Sequence, residues 1–128
     1  MRRDAPLAKK EAIGPKDLWD KPLILSRQHR AGSALSMWLK REEADLNIVA
    51  TYSLLYNGSI LVDEGLGYAI TLDKIINTQG GNLCFRPLIP TLQAGLCVVW
   101  KKYQVLTKAS ELFLNTLQSN LETAESEA

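Results

Sequence analysis

At 128 residues, with 46% hydrophobic and 23% charged side chains, the chain has the composition of one soluble globular domain and little room for a second. Its 15 basic and 14 acidic residues leave a net charge of +1, without the basic excess that phosphate neutralisation demands of a nucleic-acid-binding surface. No apolar stretch approaches the roughly 20 residues of a membrane-spanning helix, and Met1-Arg2-Arg3-Asp4-Ala5-Pro6 lacks the apolar run of a secretory signal; a cytoplasmic location is expected.

From Met1 to Lys16 the sequence is polar and without period, punctuated by Gly14-Pro15. Asp17 to Lys21 has room for one helical turn. Pro22 then opens Leu23-Ile24-Leu25, an apolar run with the length of a buried strand. A polar loop, Ser26 to Gly32, follows. Ser33 is a suitable N-cap for a helix in which Leu35, Trp38 and Leu39 share one face, with Lys40 to Glu43 as its polar end. Leu46 to Tyr52 is rich in β-branched residues and predicts a strand. Ser53 is placed to cap a second helix reaching about Glu64, which Gly65 ends as a C′ residue. Asn57-Gly58 sits awkwardly inside it, because a helical glycine costs about 1 kcal/mol against alanine.

Gly67 to Leu72 predicts a further strand, Asp73 a cap for a short helix around Lys74 to Asn77, and Gly80-Gly81 a turn. Two more strands are expected at Leu83 to Leu88 and Leu96 to Tyr103, joined by a Pro90 to Gly95 link. Thr107 caps a final helix striped by Ala109, Leu112, Phe113 and Leu117, and the acidic tail beyond it is expected to fray.

Strands alternating with helices define an α/β fold with a mainly parallel sheet. Such sheets bind ligands beyond the carboxyl ends of their strands, near helix N-termini. Two junctions meet that description: Ser26-Arg27-Gln28 after the first strand and Thr51-Tyr52-Ser53 after the second. Each also has a purely structural reading, with Ser53 as an N-cap and Arg27 as a solvated loop charge.

Other chemistry finds less support. Gly65-Leu66-Gly67 closes a helix and enters a strand, the reverse of a dinucleotide loop. Glu42-Glu43 and Asp63-Glu64 read as surface carboxylates. Trp19, Trp38 and Trp100 read as core or interface anchors. Cys84 and Cys97 lie in apolar runs where a reduced thiol packs as a small hydrophobe. One histidine, His29, is too few for a zinc site, and no cofactor is implied. A small hydrolase would have to pair His29 with Ser26 or Cys84 within hydrogen-bond reach in a cleft.

The landmarks, in order, resemble LysR-type transcriptional regulators. Arg3-Asp4-Ala5-Pro6-Leu7-Ala8 is similar to the "basic-Asp-x-Pro-Leu-Ala" opening of that family's second effector subdomain. Asp17-Leu18-Trp19-Asp20-Lys21-Pro22-Leu23-Ile24 is similar to its "Asp-Leu-x-x-x-Pro-Leu-Ile" segment. Leu61-Val62-Asp63-Glu64-Gly65-Leu66-Gly67-Tyr68-Ala69 matches "Leu-Val-x-x-Gly-Leu-Gly-apolar-Ala". Phe85-Arg86-Pro87-Leu88, Val98-Val99-Trp100-Lys101-Lys102 and the helix Ala109 to Leu117 resemble the closing segments, so the likeness runs from about residue 3 to 119.

The resemblance implies a periplasmic-binding-protein-like fold of two α/β subdomains clasping a small effector. Residues 4–90 would be the second subdomain, 91–120 a return segment contributing a strand and helix to the first, and 121–128 a disordered tail. The family's winged helix-turn-helix, linker helix and most of the first subdomain are expected to precede Met1, so DNA binding is not carried over to this chain. Effector contacts map to Ser26, Arg27, Gln28, Thr51, Tyr52 and Ser53, a set suited to a small carboxylate or other anion. The implied protein is a sensor and not an enzyme, with self-association expected through apolar surface left on the return segment. A stand-alone solute-binding domain is the alternative within the same fold.

Overall fold

The computed structural model describes residues 1–29, 33–95 and 98–126, with side chains described to residue 121. The chain divides into two units, Met1–Ala94 and Gly95–Ala128.

The first unit is organised around β1 (Leu23–Ser26), whose three leading side chains are buried. β2 (Ile48–Tyr52) pairs with one edge of β1 and β3 (Tyr68–Ala69) with the other, giving a three-stranded parallel sheet in the order β2-β1-β3. A central strand covered on both faces has to be apolar throughout, which is why Leu23-Ile24-Leu25 shows no alternation. The pairing shifts register between Leu23 and Ile24, so Leu23 lies beside Ile48 but Ile24 beside Ala50. This irregularity sets Leu23, Leu25, Ile48 and Thr51 towards one face, and Ile24, Ala50 and Tyr52 towards the other.

On the first face, Leu23 and Leu25 form a core with Leu7, Ile13, Leu18, Trp38, Leu39 and Leu46. α1 (Ala34–Leu39) supplies Trp38 and Leu39 to it. The helix stops at Leu39, earlier than its polar sequel suggests, because Lys40 turns left-handed (φ 53°). The Trp19 indole N–H then donates to the freed Leu39 carbonyl at 2.8 Å, and that of Trp38 to Pro90 at 2.6 Å. Trp38 thus buries its apolar ring and Trp19 half-buries its own, while each meets the need of a polar N–H.

The second face carries α2 (Leu55–Asp63). Its C-terminus is a full Schellman closure: Leu66 N–H donates to Leu61 O and Gly65 N–H to Val62 O, both at 3.0 Å, with Gly65 at φ +82°. Its start differs from expectation. Leu54, not Ser53, occupies the N-cap, and no side chain caps it. Gly58 is buried against Tyr52, and a Cβ there would lie 3.0 Å from the ring. The awkward helical glycine is therefore what lets α2 approach the sheet.

Several expected elements do not form. Residues 83–88 make single bridges, Leu83 antiparallel to Arg2 and Leu88 parallel to Ile13. Pro87 has no N–H for a ladder, and its carbonyl accepts from Ile13 N–H at 2.9 Å. The strand expected at 67–72 shortens to Tyr68–Ala69. The helix at 74–77 is replaced by turns, with Lys74 at φ 61° and the Asn77 side chain accepting from Gln79 N–H at 2.9 Å. Gly80, at φ +73°, makes its expected turn.

In the second unit, α3 (Lys108–Ser126) is capped as predicted, Thr107 Oγ1 accepting from Ser110 N–H at 3.2 Å. The helix continues past Glu122, where the sequence suggests fraying. Of the strand expected at 96–103, Leu96 and Cys97 lie outside the described residues, and 98–103 form no ladder. A single strand has no use for its backbone donors and acceptors without a neighbour. Val99, Tyr103 and Val105 are at least 86% exposed, and Leu112 and Phe113 on α3 are exposed as well.

Candidate functional site

The carboxyl ends of β1 and β2 stand side by side. Leu25 pairs with Thr51 and Ser26 with Tyr52, and the Arg27 N–H donates to the Tyr52 carbonyl at 2.7 Å. All six residues expected to meet an effector therefore lie on one edge of the sheet. Ser26 ends β1 and shapes the loop after it: its Oγ accepts from Gln28 N–H at 3.2 Å, and its carbonyl from His29 N–H at 2.8 Å. Residues 30–32 of that loop lie outside the described residues.

Arg27, Gln28, Thr51 and Ser53 are exposed, and their side chains bond to no described residue. Because α2 is capped by Leu54, Ser53 has no capping duty. Tyr52 differs from its neighbours. Its ring is covered by Gly58, and its hydroxyl donates to the Ile70 carbonyl at 2.8 Å. It ties the end of β2 to the segment leaving β3, and positions the edge instead of projecting from it. The sequence marks Tyr52 as a site residue, but its partner Ile70 lies 18 positions away and leaves no local signal.

His29 is turned towards the start of α1, with Nδ1 at 3.1 Å from Ser33 Oγ and Nε2 at 3.4 Å from Ser36 Oγ. Both ring nitrogens thus face these hydroxyls, not Ser26 Oγ. Cys84 is buried and free, its thiol directed at the Arg2 carbonyl at 3.8 Å. Neither nucleophile considered for a hydrolase meets His29. Among the described residues no group of three or more His, Cys, Asp or Glu could hold a metal, and no described helix is long and apolar enough to cross a membrane.

A cavity of about 280 Å³ lies on the α2 side of the sheet, with Leu55, Val62, Ala69, Ile70, Leu83 and Cys84 in its wall. It was not anticipated from sequence. Its one local trace is that Leu55, Ser59 and Val62, which all face it, follow a helical i, i+4, i+7 spacing. The 83–88 segment that forms one side of it is tied to the N-terminal segment by Arg86, which donates to the carbonyls of Ala8 and Lys10, and also to that of Phe85, each at 2.7 Å.

In parallel α/β layers, the carboxyl edge where these polar groups gather is where ligands bind. The model of the family described as the LysR substrate binding domain matches residues 1–122, and the chain belongs to that family. Its members are periplasmic-binding-protein-like in fold and are ligand-binding regulatory domains, so membership places the chain among effector sensors of LysR-type regulators. No curated protein and no solved structure matches it.

Proposed function

We propose that this chain senses a small carboxylate or other anion at the carboxyl edge of the sheet, using Ser26, Arg27 and Gln28 from one junction and Thr51, Tyr52 and Ser53 from the other. The observation that carries this reading is the 2.7 Å bond from Arg27 N–H to the Tyr52 carbonyl. It brings the two junctions together and leaves a guanidinium, an amide and two hydroxyls uncommitted beside them. Arg27 supplies charge, the Ser and Thr hydroxyls and the Gln28 amide supply directional donors, and Tyr52 holds the edge in place.

Residues 4–90 act as the second effector subdomain in this reading, and 91–120 as part of the first, so that the effector is held between subdomains. Binding favours one relative pose over another and involves no covalent chemistry. DNA contact belongs to other parts of a LysR-type regulator, and the sensor works in the cytoplasm as a self-associating protein.

The test is a thermal-shift screen of the purified chain against small mono- and dicarboxylates, phosphate and sulfate, followed by titration of Ser26→Ala, Arg27→Ala and Thr51→Ala. A stabilising anion is expected. Losing the charge-assisted contact of Arg27 should weaken it about tenfold, and each hydroxyl deletion by a smaller factor. Absence of any stabilising anion, or hits unchanged in all three variants, removes the assignment.

A further inference from the structure

We propose that the cavity on the α2 face of the sheet is a second ligand site, one that takes a small uncharged molecule built on a single aromatic or cycloaliphatic ring. It is separate from the carboxyl edge, since none of the six edge residues lines it.

Size comes first. At about 280 Å³ the cavity exceeds the roughly 150 Å³ apolar cavity that admits benzene in an engineered protein. A ring seated against this half-open wall covers apolar surface that otherwise faces water.

Chemistry comes next. The lining is mainly apolar, with Leu55, Val62, Ile70, Leu83 and buried Ile13 and Cys84 in it, and polar side chains such as Asn77 and Gln79 at its exposed side. Ser59 donates its own hydrogen to the Tyr56 carbonyl at 2.6 Å, so its oxygen faces a ligand as an acceptor. The nitrogens of Arg86 are turned to the carbonyls of Ala8, Lys10 and Phe85. Met1 and Lys74 also bring positive charge to the lining and Asp73 negative charge; the Met1 ammonium is already engaged, donating to the Cys84 carbonyl at 3.2 Å, and Asp73 and Lys74 are exposed. A charged ligand would lose its hydration here without a matched partner, which is costly. A ring bearing a hydroxyl, donating to Ser59, fits the same wall.

Phenol is the probe, titrated into the full chain with isotope-labelled methyl groups and followed by NMR, with benzenesulfonate as the charged comparator. Saturable binding with a dissociation constant of about 1 mM or tighter is expected for a ligand of this size, with contacts from its ring protons to the methyls of Leu55, Val62 and Ile70. Thr51→Ala should leave that binding unchanged, which separates this site from the anion site at the edge. Val62→Phe, which fills the cavity, should weaken it at least tenfold. Where that variant does not fold, the contacts to the wild-type methyls decide. The proposal is overturned by non-saturable shifts, by ring contacts confined to other residues, by equal binding of benzenesulfonate, or by undiminished binding to folded Val62→Phe.

Discussion

Replacing Gly67 by alanine should cost the first unit about 3 kcal/mol, even though the backbone there is conformationally ordinary. A Cβ on Gly67 would lie 2.4 Å from the Pro22 carbonyl oxygen and 3.0 Å from its carbon. The obstructing atoms are backbone, so no side-chain rotation relieves the clash. The same carbonyl accepts the Tyr68 N–H at 2.8 Å, one of the bonds joining β3 to β1; Ile70 N–H to Ile24 O, at 3.2 Å, is another. Relief requires lifting a two-residue strand from its neighbour. Overpacking of this kind costs about 1–3 kcal/mol, and losing the Tyr68 bond adds about 1 kcal/mol.

Gly65, two positions earlier in the same motif, is the internal control. It sits at φ +82° with nothing within 4 Å of its added Cβ, so alanine there meets left-handed strain of about 1–2 kcal/mol and no clash. Asparagine tolerates that region better. Urea unfolding, with stability extrapolated linearly to water, should rank wild type, Gly65→Asn, Gly65→Ala and Gly67→Ala in descending order. A Gly67→Ala protein within about 0.5 kcal/mol of wild type, the usual scatter of a surface substitution, would refute the close-approach argument.

Asp17 accepts the Gly14 N–H at 3.0 Å and pairs with Lys10, and the Lys10 contact, followed by the Gly14 bond, holds its carboxyl below the ordinary aspartate range. A lowered folded pKa gives stability that is present above the unfolded value, about 3.9, and lost as pH falls through the folded one. Asp17→Ala should therefore cost about 1 kcal/mol at pH 7, with the gap to wild type closing below about pH 4 in pH-dependent urea melts. Asp63 ends α2 with Oδ1 buried and, among the described residues, without a hydrogen-bond partner, at the negative end of the helix dipole. Asp63→Asn should raise stability by about 0.5–1 kcal/mol, read as a higher thermal midpoint; an unchanged or lower midpoint counts against that reading. Self-association through the second unit should appear as concentration-dependent sedimentation, lost in a Val99→Asp/Phe113→Asp double variant. A wild-type chain that stays monomeric at high concentration contradicts it.

What the sequence discloses depends on whether a signal is local. β1 is legible because Leu23-Ile24-Leu25 is apolar without alternation, which suits a central strand covered on both faces. The caps at Ser33 and Thr107 and the stop at Gly65 are legible because each resides within one turn of chain. The strands expected at 83–88 and 96–103 have apolar composition, with β-branched Val98 and Val99 in the second, but a strand exists through its partner. Residues 83–88 find a few bonds to the N-terminal segment, interrupted by Pro87, and 98–103 find no ladder. Pairing is a long-range property, and no window of a dozen residues contains it.

The edge of the sheet illustrates the same division more finely. Strand ends followed by hydroxyl and guanidinium groups are visible in sequence, and the junctions at 26–28 and 51–53 do lie together. Which of those side chains face outward is decided elsewhere. Gly58 must lack a side chain for α2 to settle on the Tyr52 ring, and only then is the Tyr52 hydroxyl buried enough to need the Ile70 carbonyl. Tyr52 of β2, Gly58 of α2 and Ile70 of the segment leaving β3 therefore turn one member of the edge inward and leave Arg27, Thr51 and Ser53 facing out. In the sequence Gly58 stands as a lone helical glycine and Ile70 as one more apolar residue; their meaning arises from a contact that exists only in the folded chain.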